Sequence, residues 1–381
     1  MKITTSDEGR AHKREMWIEG EEKPVCNLWV IDFTMRVGTT VVRMAGIGGV
    51  HTEREHRMKG YMRHLFEDTV HYMIAEGYDI SMLFGIENFY TKFGYAAGLA
   101  SFECKVKTRD AEVAGEQAGG TYITRPIGEA DMPAVLDLYN ANNAMRVCSV
   151  VRAPEDFTKF EKGTWYGTRP DTQLWEDANG KLLAYAVWDH FDKAVKVAEV
   201  EVRDDAALPC NDLFPALLSF FAAQAVEKRC EDVQLFIPPD HPFAEYVQRF
   251  GAEWMVTYPR YGSGMLRLLN QQPFFEKLAP ELERRLALAH SAGYTGTLTF
   301  QTDLGTLALI INRGSIAVTG KASDGLRLEL SQDKLTQLVI GYRSARDVLN
   351  DPQVTAHGDV LPLLNALFPQ GQPYIWVADH F

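Results

Sequence analysis

Two cations and a glycine stand together where a predicted strand gives way to a predicted helix. Arg57, Lys59 and Gly60 follow the apolar stretch that ends near Val50. A helix N-terminus has unpaired N–H groups and a partial positive charge, so it binds phosphate without side-chain help. A basic turn alone is usually solvated surface, but its place between two strands and before an amphipathic helix favours a ligand. We therefore predict a pyrophosphate site at residues 57–62, with an extended tail of the same ligand beside the strand.

The elements that would position this turn form a mixed α/β unit. Two strand-rich stretches flank Gly38, which indicates a hairpin. Apolar residues at helical spacing predict a helix over 61–75, with Gly77 as its stop. A short apolar strand follows at 79–85, and one or two helical turns are expected at 87–93.

Three blocks are predicted along the chain: residues 1–120, 121–270 and 271–381. The polar, glycine-rich stretch 106–120 is expected to be a linker or an edge loop. The second block repeats the mixed α/β pattern. The third begins with an amphipathic helix and continues with alternating strands, which predicts an antiparallel sheet with helices on it. The expected fold class is therefore α/β and α+β, in several domains.

Composition excludes some classes of protein. The chain has 381 residues, is 46% hydrophobic and carries a net charge of −12. That charge argues against nucleic acid and suits a cationic small molecule. No apolar run is long enough to span a bilayer and no signal-type segment precedes the first block, so we expect a cytoplasmic protein. The five cysteines are expected to be reduced thiols: Cys26, Cys104, Cys148, Cys210 and Cys230.

Two segments carry a family resemblance. "GGVHTEREHRMKGYM" resembles the acetyl-CoA signature of the GCN5-related N-acetyltransferases, with Arg57, Gly60 and Met62 at its three defining places. Met62 stands where the family has a small residue. "ENFYTKFGYAAG" resembles a later segment of that family, whose tyrosine often serves as general acid and here is Tyr90.

The whole chain resembles the Eis (enhanced intracellular survival) family of acetyltransferases. Two acetyltransferase-like blocks precede an α+β block with "GYRS", "LFP" and a final "YIWVADHF". The resemblance implies tandem acetyltransferase folds, a third domain similar to sterol carrier protein 2 and a hexamer. The second block, without an Arg-x-x-Gly turn, is expected to be a degenerate copy. Few residues precede the first hairpin, so either the chain is shortened or the acceptor pocket is remodelled.

The resemblance implies acetyl transfer from acetyl-CoA to an amine that attacks directly. Tyr90 is the expected general acid, and the C-terminal carboxylate of Phe381 is the expected base, with Glu87 in reserve. No metal is expected; His51, His56 and His64 are interpreted as surface or near-site polar groups. Acetyl-CoA is expected to contact Gly49, Val50, His51, Arg57, Met58, Lys59, Gly60, Tyr61 and Met62.

The acceptor and two other classes of function stay open. Aminoglycosides, polyamines and lysine side chains are all candidate acceptors, and the acidic charge favours a polycationic one. The chain could instead carry a lipid or sterol through its third block. It could also be a non-catalytic acyl-CoA sensor, in which case acetyl-CoA would bind and no amine would turn over.

Overall fold

The structure, a computed structural model, describes residues 1–165, 167–203, 213–322 and 324–381. Three β-sheets with helices packed on them make up most of the described chain. The strands are β1 (Lys2–Glu8), β2 (Ala11–Trp17), β3 (Cys26–Val37), β4 (Thr40–Thr52), β5 (Ile80–Ile86), β6 (Ala96–Ala97), β7 (Ser101–Lys107), β8 (Ile123–Arg125), β9 (Asp171–Glu176), β10 (Leu182–Phe191), β11 (Ala194–Val202), β12 (Asp232–Leu235), β13 (Glu253–Thr257), β14 (Tyr261–Leu268), β15 (Thr295–Thr302), β16 (Gly305–Asn312), β17 (Ser315–Thr319), β18 (Leu326–Glu329) and β19 (Thr355–His357). The α-helices are α1 (Tyr61–Ala75), α2 (Glu87–Tyr90), α3 (Thr108–Ala111), α4 (Met132–Asn142), α5 (Leu213–Glu227), α6 (Pro242–Val247), α7 (Gln271–Leu288), α8 (Gln332–Val339), α9 (Ala345–Leu349) and α10 (Leu361–Leu367).

The first sheet contains the hairpin and the strand predicted from the sequence, and the predicted helix packs on it. β3 and β4 pair antiparallel around a tight turn at Gly38, and α1 covers the predicted residues 61–75. Leu65 and Phe66 on α1 are fully buried because the apolar face of the helix packs on the sheet. The N-terminal residues form a β1–β2 hairpin, and β2 pairs with β3, so this hairpin occupies the sheet edge before β3.

The first two sheets exchange a strand. The first sheet has the order β1-β2-β3-β4-β5-β14-β6, and the second has the order β13-β7-β12-β11-β10-β9-β8. β14 comes from the second block and pairs with β5, whereas β7 comes from the first block and pairs with β12. Each sheet also contains a parallel pair, β4–β5 and β11–β12, joined through α1 and α5. The boundaries predicted at residues 120 and 270 stay predictions, and the β14–β5 and β7–β12 pairings both cross the one at residue 120.

The two faces of the first sheet are covered by different parts of the chain. Ala45 and Leu83 belong to the apolar cluster under α1. Met44 and Met82 point the other way, into a cluster that includes residues of α7 and the third sheet. Both faces of β4 and β5 are therefore buried, which explains their nearly continuous apolar sequence.

The third sheet is mixed, so the prediction of an antiparallel sheet was wrong. Its order is β17-β16-β15-β18-β19, and β18 pairs parallel with β15. The β16–β17 hairpin occupies one edge of β15, so β18 pairs along the other. A tight turn at Arg313 and Gly314, both with positive φ, joins β16 to β17.

Residues 106–120 were expected to be a linker or an edge loop. The stretch 106–120 is not a linker: it contains the end of β7, then α3 and a 3₁₀ helix (Glu112–Gln117), with Ala111 and Ala114 buried. These small apolar residues pack on the apolar cluster of the second sheet. The polar composition of the stretch gave no sign of this packing.

The described cysteines are free thiols, buried except for the half-buried Cys230, and Cys210 lies outside the described residues. None of the described helices has the length and hydropathy to cross a membrane.

Candidate active site

A gap between β4 and β5 is the centre of the candidate site. The two strands pair in parallel only from Met44 opposite Ile80 to Ile47 opposite Leu83. β4 then continues to Thr52 and β5 to Ile86, and within the described chain no ladder joins these two ends. The backbone of β4 beyond Ile47 therefore faces an opening rather than a neighbouring strand, and a ligand can pair with it there.

A β-bulge lies on β4 beside this gap. Gly49 and Val50 together oppose a single residue of β3, and the φ of Gly49 is 56°. A Cβ on Gly49 would lie 2.6 Å from Cδ1 of Trp29, so the close approach of the two strands requires glycine. Asn27 Nδ2 donates to the Gly49 carbonyl oxygen over 3.3 Å. A bulge re-aims the backbone, and it does so here at the predicted contacts Gly49, Val50 and His51.

The predicted phosphate loop, residues 57–62, leads from this bulge into α1. Gly60 is the N-cap of α1 with φ 84°, and Met58 also has a positive φ of 63°. Within the described residues α1 has no capping side chain and no acid in its first turn, so its N–H groups and partial charge face outward. Arg57 and Lys59 are exposed beside it, and Arg57 Nε donates to the Thr52 carbonyl oxygen over 3.1 Å. These features fit a pyrophosphate.

The remaining residues near the loop divide into packed and exposed side chains. Tyr61 and Met62 are half-buried and pack on the apolar cluster under α1. Of the three histidines expected to be surface or near-site polar groups, His51 and His64 are exposed. His56 is buried beside the loop, and Glu21 Oε1 lies 3.3 Å from its Nε2. The described residues contain no cluster of three metal-ligating side chains.

Tyr90 lies at the end of α2, on the α1 face of the sheet. Its ring contacts Phe66 and Phe89 at centroid distances of 5.4 and 4.9 Å. Gly85 on β5 makes room for it, because a Cβ there would overlap the Tyr90 ring. Burial raises the pKa of the Tyr90 phenol, so the group stays protonated and is a proton donor at neutral pH. The side chain of Glu87 lies outside the described part of the chain.

The C-terminal tail, residues 374–381, ends against the opposite face of β4. A Cβ on Gly46 would lie 2.9 Å from the Phe381 ring, and a Cβ on Gly48 would lie 3.3 Å from the Phe381 carbonyl carbon. The Phe381 ring also packs against Phe33 and Phe84, at 5.0 and 5.5 Å. Two glycines on one face of the strand thus allow the chain terminus to lie directly beside the gap.

A buried network in the second block holds the tail in this position. Arg152 donates to Asp379 and, through two nitrogens, to Glu199, with N–O distances of 2.7 to 3.0 Å. Tyr139 and Tyr185 donate to the same two carboxylates over 3.1 and 2.6 Å. A buried guanidinium that is shared by two carboxylates and further hydrogen bonds has its desolvation offset. The second block therefore positions the terminus. The part of this block where the sequence lacks an Arg-x-x-Gly motif includes residues 204–212, which lie outside the described residues.

His380 connects the tail to β5. Its ring stacks on Phe84 at 4.0 Å, and its carbonyl oxygen accepts from Lys162 Nζ over 2.5 Å. Burial lowers the pKa of the His380 imidazole to about 4, so the ring is neutral at pH 7.

A cavity of about 350 Å³ opens beside Phe381. We call it the charged cavity. Acids and bases alternate on its wall: Arg10 lies 3.9 Å from Asp156, and Lys159 lies 3.2 Å from Glu161. The negative charge of the whole chain is therefore not concentrated here.

Several residues of this site were missed by sequence reasoning. Gly46 and Gly48 received no role at the site, although their spacing of two on one strand indicates a close approach of other chain atoms. Arg152 and Asp379 gave no local signal, because they are distant in sequence and meet only through the fold.

The family comparison agrees with this geometry. Residues 5–98 match the family model described as an acetyltransferase (GNAT) domain. These residues include β2 to β6 and α1, so the match to the GNAT acetyltransferase family lies on the first sheet. Domains of that family generally carry out acyl-CoA-dependent N-acetyl transfer. No curated protein sequence matches the chain.

Several solved structures are similar to this one over nearly the whole chain. A probable N-acyltransferase from Enterococcus faecalis V583 superposes with a TM-score of 0.76 at 17% identity, covering 98% of this chain and 90% of that one. A GCN5-related N-acetyltransferase from Anabaena variabilis ATCC 29413 gives 0.74 at 17% identity, covering 97% and 89%. Eis1 from Mycobacterium abscessus gives 0.64 at 14% identity, covering 98% and 91%. At these identities the likeness establishes the fold: two GNAT-like sheets and a third sheet.

Proposed function

We propose that this chain is an acetyl-CoA-dependent N-acetyltransferase with its catalytic centre at the gap between β4 and β5. The observation that carries the proposal is the position of the chain terminus, whose carbonyl carbon lies 3.3 Å from the Cβ position of Gly48. An aliphatic amine has a pKa of about 10.4, so it is an ammonium ion at pH 7. A carboxylate at this position binds the ammonium group and removes its proton.

The other predicted residues take the remaining roles. Residues 57–62 hold the pyrophosphate at the N-terminus of α1. The backbone near Val50 donates to the thioester carbonyl and stabilises the developing negative charge. Tyr90 protonates the leaving thiolate from the other face of the sheet. Both faces meet at the gap, so the base and the acid reach one reaction centre from opposite sides.

The packing of the third block supports the enzyme over a lipid carrier. Phe275, Phe300 and Phe368 are fully buried and pack with one another at centroid distances of 5.9 to 6.3 Å. Their rings occupy the space between the third sheet and its helices, where a carrier would need a tunnel. The finer assignments accompany the proposal: an Eis-like subtype, a third domain like sterol carrier protein 2, a hexamer and a cytoplasmic location.

Free-thiol release from acetyl-CoA tests the proposal. The amine panel contains an aminoglycoside, spermidine and a lysine-containing peptide, and the native chain is compared with one extended by three residues after Phe381. We expect turnover with the native chain and its loss on extension, because the carboxylate moves away from Gly48. Turnover that survives extension would move the base elsewhere. Acetyl-CoA binding without turnover of any amine would identify a sensor instead.

A further inference from the structure

A second cavity lies on the other side of the tail from the charged cavity. It has a volume of about 250 Å³, many times the roughly 10–15 Å³ that one water molecule needs. We call it the apolar cavity. It borders Phe84 and His380, and its wall is mostly hydrophobic: Leu99, Ala100, Phe102, Phe236, Ile375 and Val377.

Two of the polar side chains on this wall, Tyr374 and Thr164, already have partners inside the protein. Tyr374 Oη donates to the Phe236 carbonyl oxygen over 2.5 Å. Thr164 Oγ1 donates to the Asp189 carboxylate over 2.9 Å. The His380 imidazole is neutral because burial lowers its pKa to about 4. A ligand in this space therefore gains more from apolar contact than from hydrogen bonds.

The apolar cavity borders β5 just past the point where β5 separates from β4. Phe84 directly follows Leu83, the last residue of β5 that pairs with β4. The Phe84 ring lines the apolar cavity, while the same ring contacts His380 at 4.0 Å and Phe381 at 5.5 Å. The charged cavity includes Phe381 in its wall. The tail thus lies between a polar cavity that Phe381 borders and an apolar cavity that Phe84 borders, one residue past the last pair of β4 and β5.

We propose that the enzyme accepts acyl-CoA donors longer than acetyl, with the alkyl chain in the apolar cavity and the amine acceptor in the charged cavity. The inference rests on the proposed function, because it concerns the donor of the same reaction. The amine nitrogen forms the amide bond with the acyl carbon. The C–S bond breaks with its electron pair on sulfur, the amine proton passes to the base, and the thiolate takes a proton from the acid.

Binding and turnover of a donor series test this assignment. Acetyl-, butyryl-, hexanoyl- and octanoyl-CoA are titrated into the full chain by calorimetry, and their kcat/KM values are compared with one amine of the panel. Burial of each methylene strengthens binding, so we expect octanoyl-CoA to bind at least about tenfold more tightly than acetyl-CoA. The Ala100→Phe variant fills the apolar cavity and should lower the octanoyl-to-acetyl ratio of kcat/KM at least about tenfold.

A matched substitution separates the two cavities. Ala378→Phe adds the same ring on the wall of the charged cavity, and should raise the KM of the amine equally with every donor. Ala100→Leu replaces Ala100→Phe if the larger ring lowers the melting temperature strongly. Octanoyl-CoA that binds no better than acetyl-CoA, in a chain that still turns over acetyl-CoA, would overturn the inference and leave the proposed function standing. If no donor supports turnover, the proposed function is wrong. The calorimetric series then still shows whether affinity rises with the length of the acyl chain, as an alkyl chain in the apolar cavity requires.

Discussion

Arg152 and Asp379 form an almost completely buried ion pair that joins the second block to the C-terminal tail. Nε lies 2.8 Å from Oδ1 and Nη2 lies 3.0 Å from Oδ2, across 227 positions of sequence. The guanidinium also stacks over the Tyr139 ring at 3.7 Å. The terminus reaches the first sheet through this pair, so the geometry of the candidate site depends on all three blocks.

Asp379→Asn should loosen the tail without altering the phosphate loop. Breaking a buried ion pair costs about 3–5 kcal/mol, so we expect a lower melting temperature and a kcat reduced at least about tenfold. The Kd for acetyl-CoA should stay within about twofold, because β4 and α1 are unchanged. Calorimetry and thiol release measure the two quantities. The control is Glu231→Gln, which removes an exposed partner of Lys193 and should change stability by no more than about 1 kcal/mol. Native kcat in Asp379→Asn would show that the ion pair does not position the terminus.

Gly48→Ala should move the terminal carboxylate. The new Cβ would stand 3.3 Å from the Phe381 carbonyl carbon, closer than ordinary contact, and the tail must shift by a few tenths of an ångström. Displacements of this order impair catalysis, so we expect kcat to fall at least about tenfold in the thiol-release assay.

Gly119→Ala is the matched control for that substitution. A Cβ on Gly119 meets nothing within 4 Å, so kcat should equal that of the native chain. Equal activity of both alanine variants would mean that the close approach of the terminus to β4 has no part in catalysis.

Tyr90→Phe should lower kcat by about 10²–10⁴, the usual contribution of a general acid. Acetyl-CoA affinity should change little, because the ring remains in the cluster with Phe66 and Phe89. Tyr95→Phe removes a neighbouring hydroxyl that donates to Ser81 Oγ over 2.7 Å. This control should lose about 1 kcal/mol of stability and keep its kcat. An unchanged kcat in Tyr90→Phe would remove Tyr90 from the mechanism.

The docking of His380 should weaken in acid. Its pKa in the folded chain is about 4, below the ordinary 6.5. A lowered histidine pKa means that the unfolded chain binds the proton first, so the stabilisation is complete above pH 6.5 and is lost as the pH falls through 4. Denaturant unfolding between pH 7 and 4 measures this loss. His380→Phe keeps a ring against Phe84 but does not titrate, so its stability should fall less steeply. Parallel curves for the two proteins would contradict the assignment.

Local sequence patterns predicted the elements that carry the phosphate loop. α1 covers the predicted range because its apolar residues recur at helical spacing and Gly77 ends it. The β3–β4 hairpin followed from two strand-rich stretches around Gly38. The prediction of a linker or an edge loop at residues 106–120 was wrong. The buried alanines of this stretch lie among polar residues, and they pack against α5, which is distant in sequence.

The sequence by itself determined the hairpin, the helix, the loop between them and the aromatic terminus, because propensity, periodicity and turn chemistry are properties of neighbouring residues. Tertiary structure decided the rest. Strand edges accept any partner that the topology brings near, so the exchange of β7 and β14 was not encoded locally. The contact of Phe381 with Gly46 and Gly48 depends on the ion pair between Arg152 and Asp379. The distribution of charge also depends on the fold. The chain has a net charge of −12, yet the charged cavity at the terminus has both acidic and basic side chains in its wall.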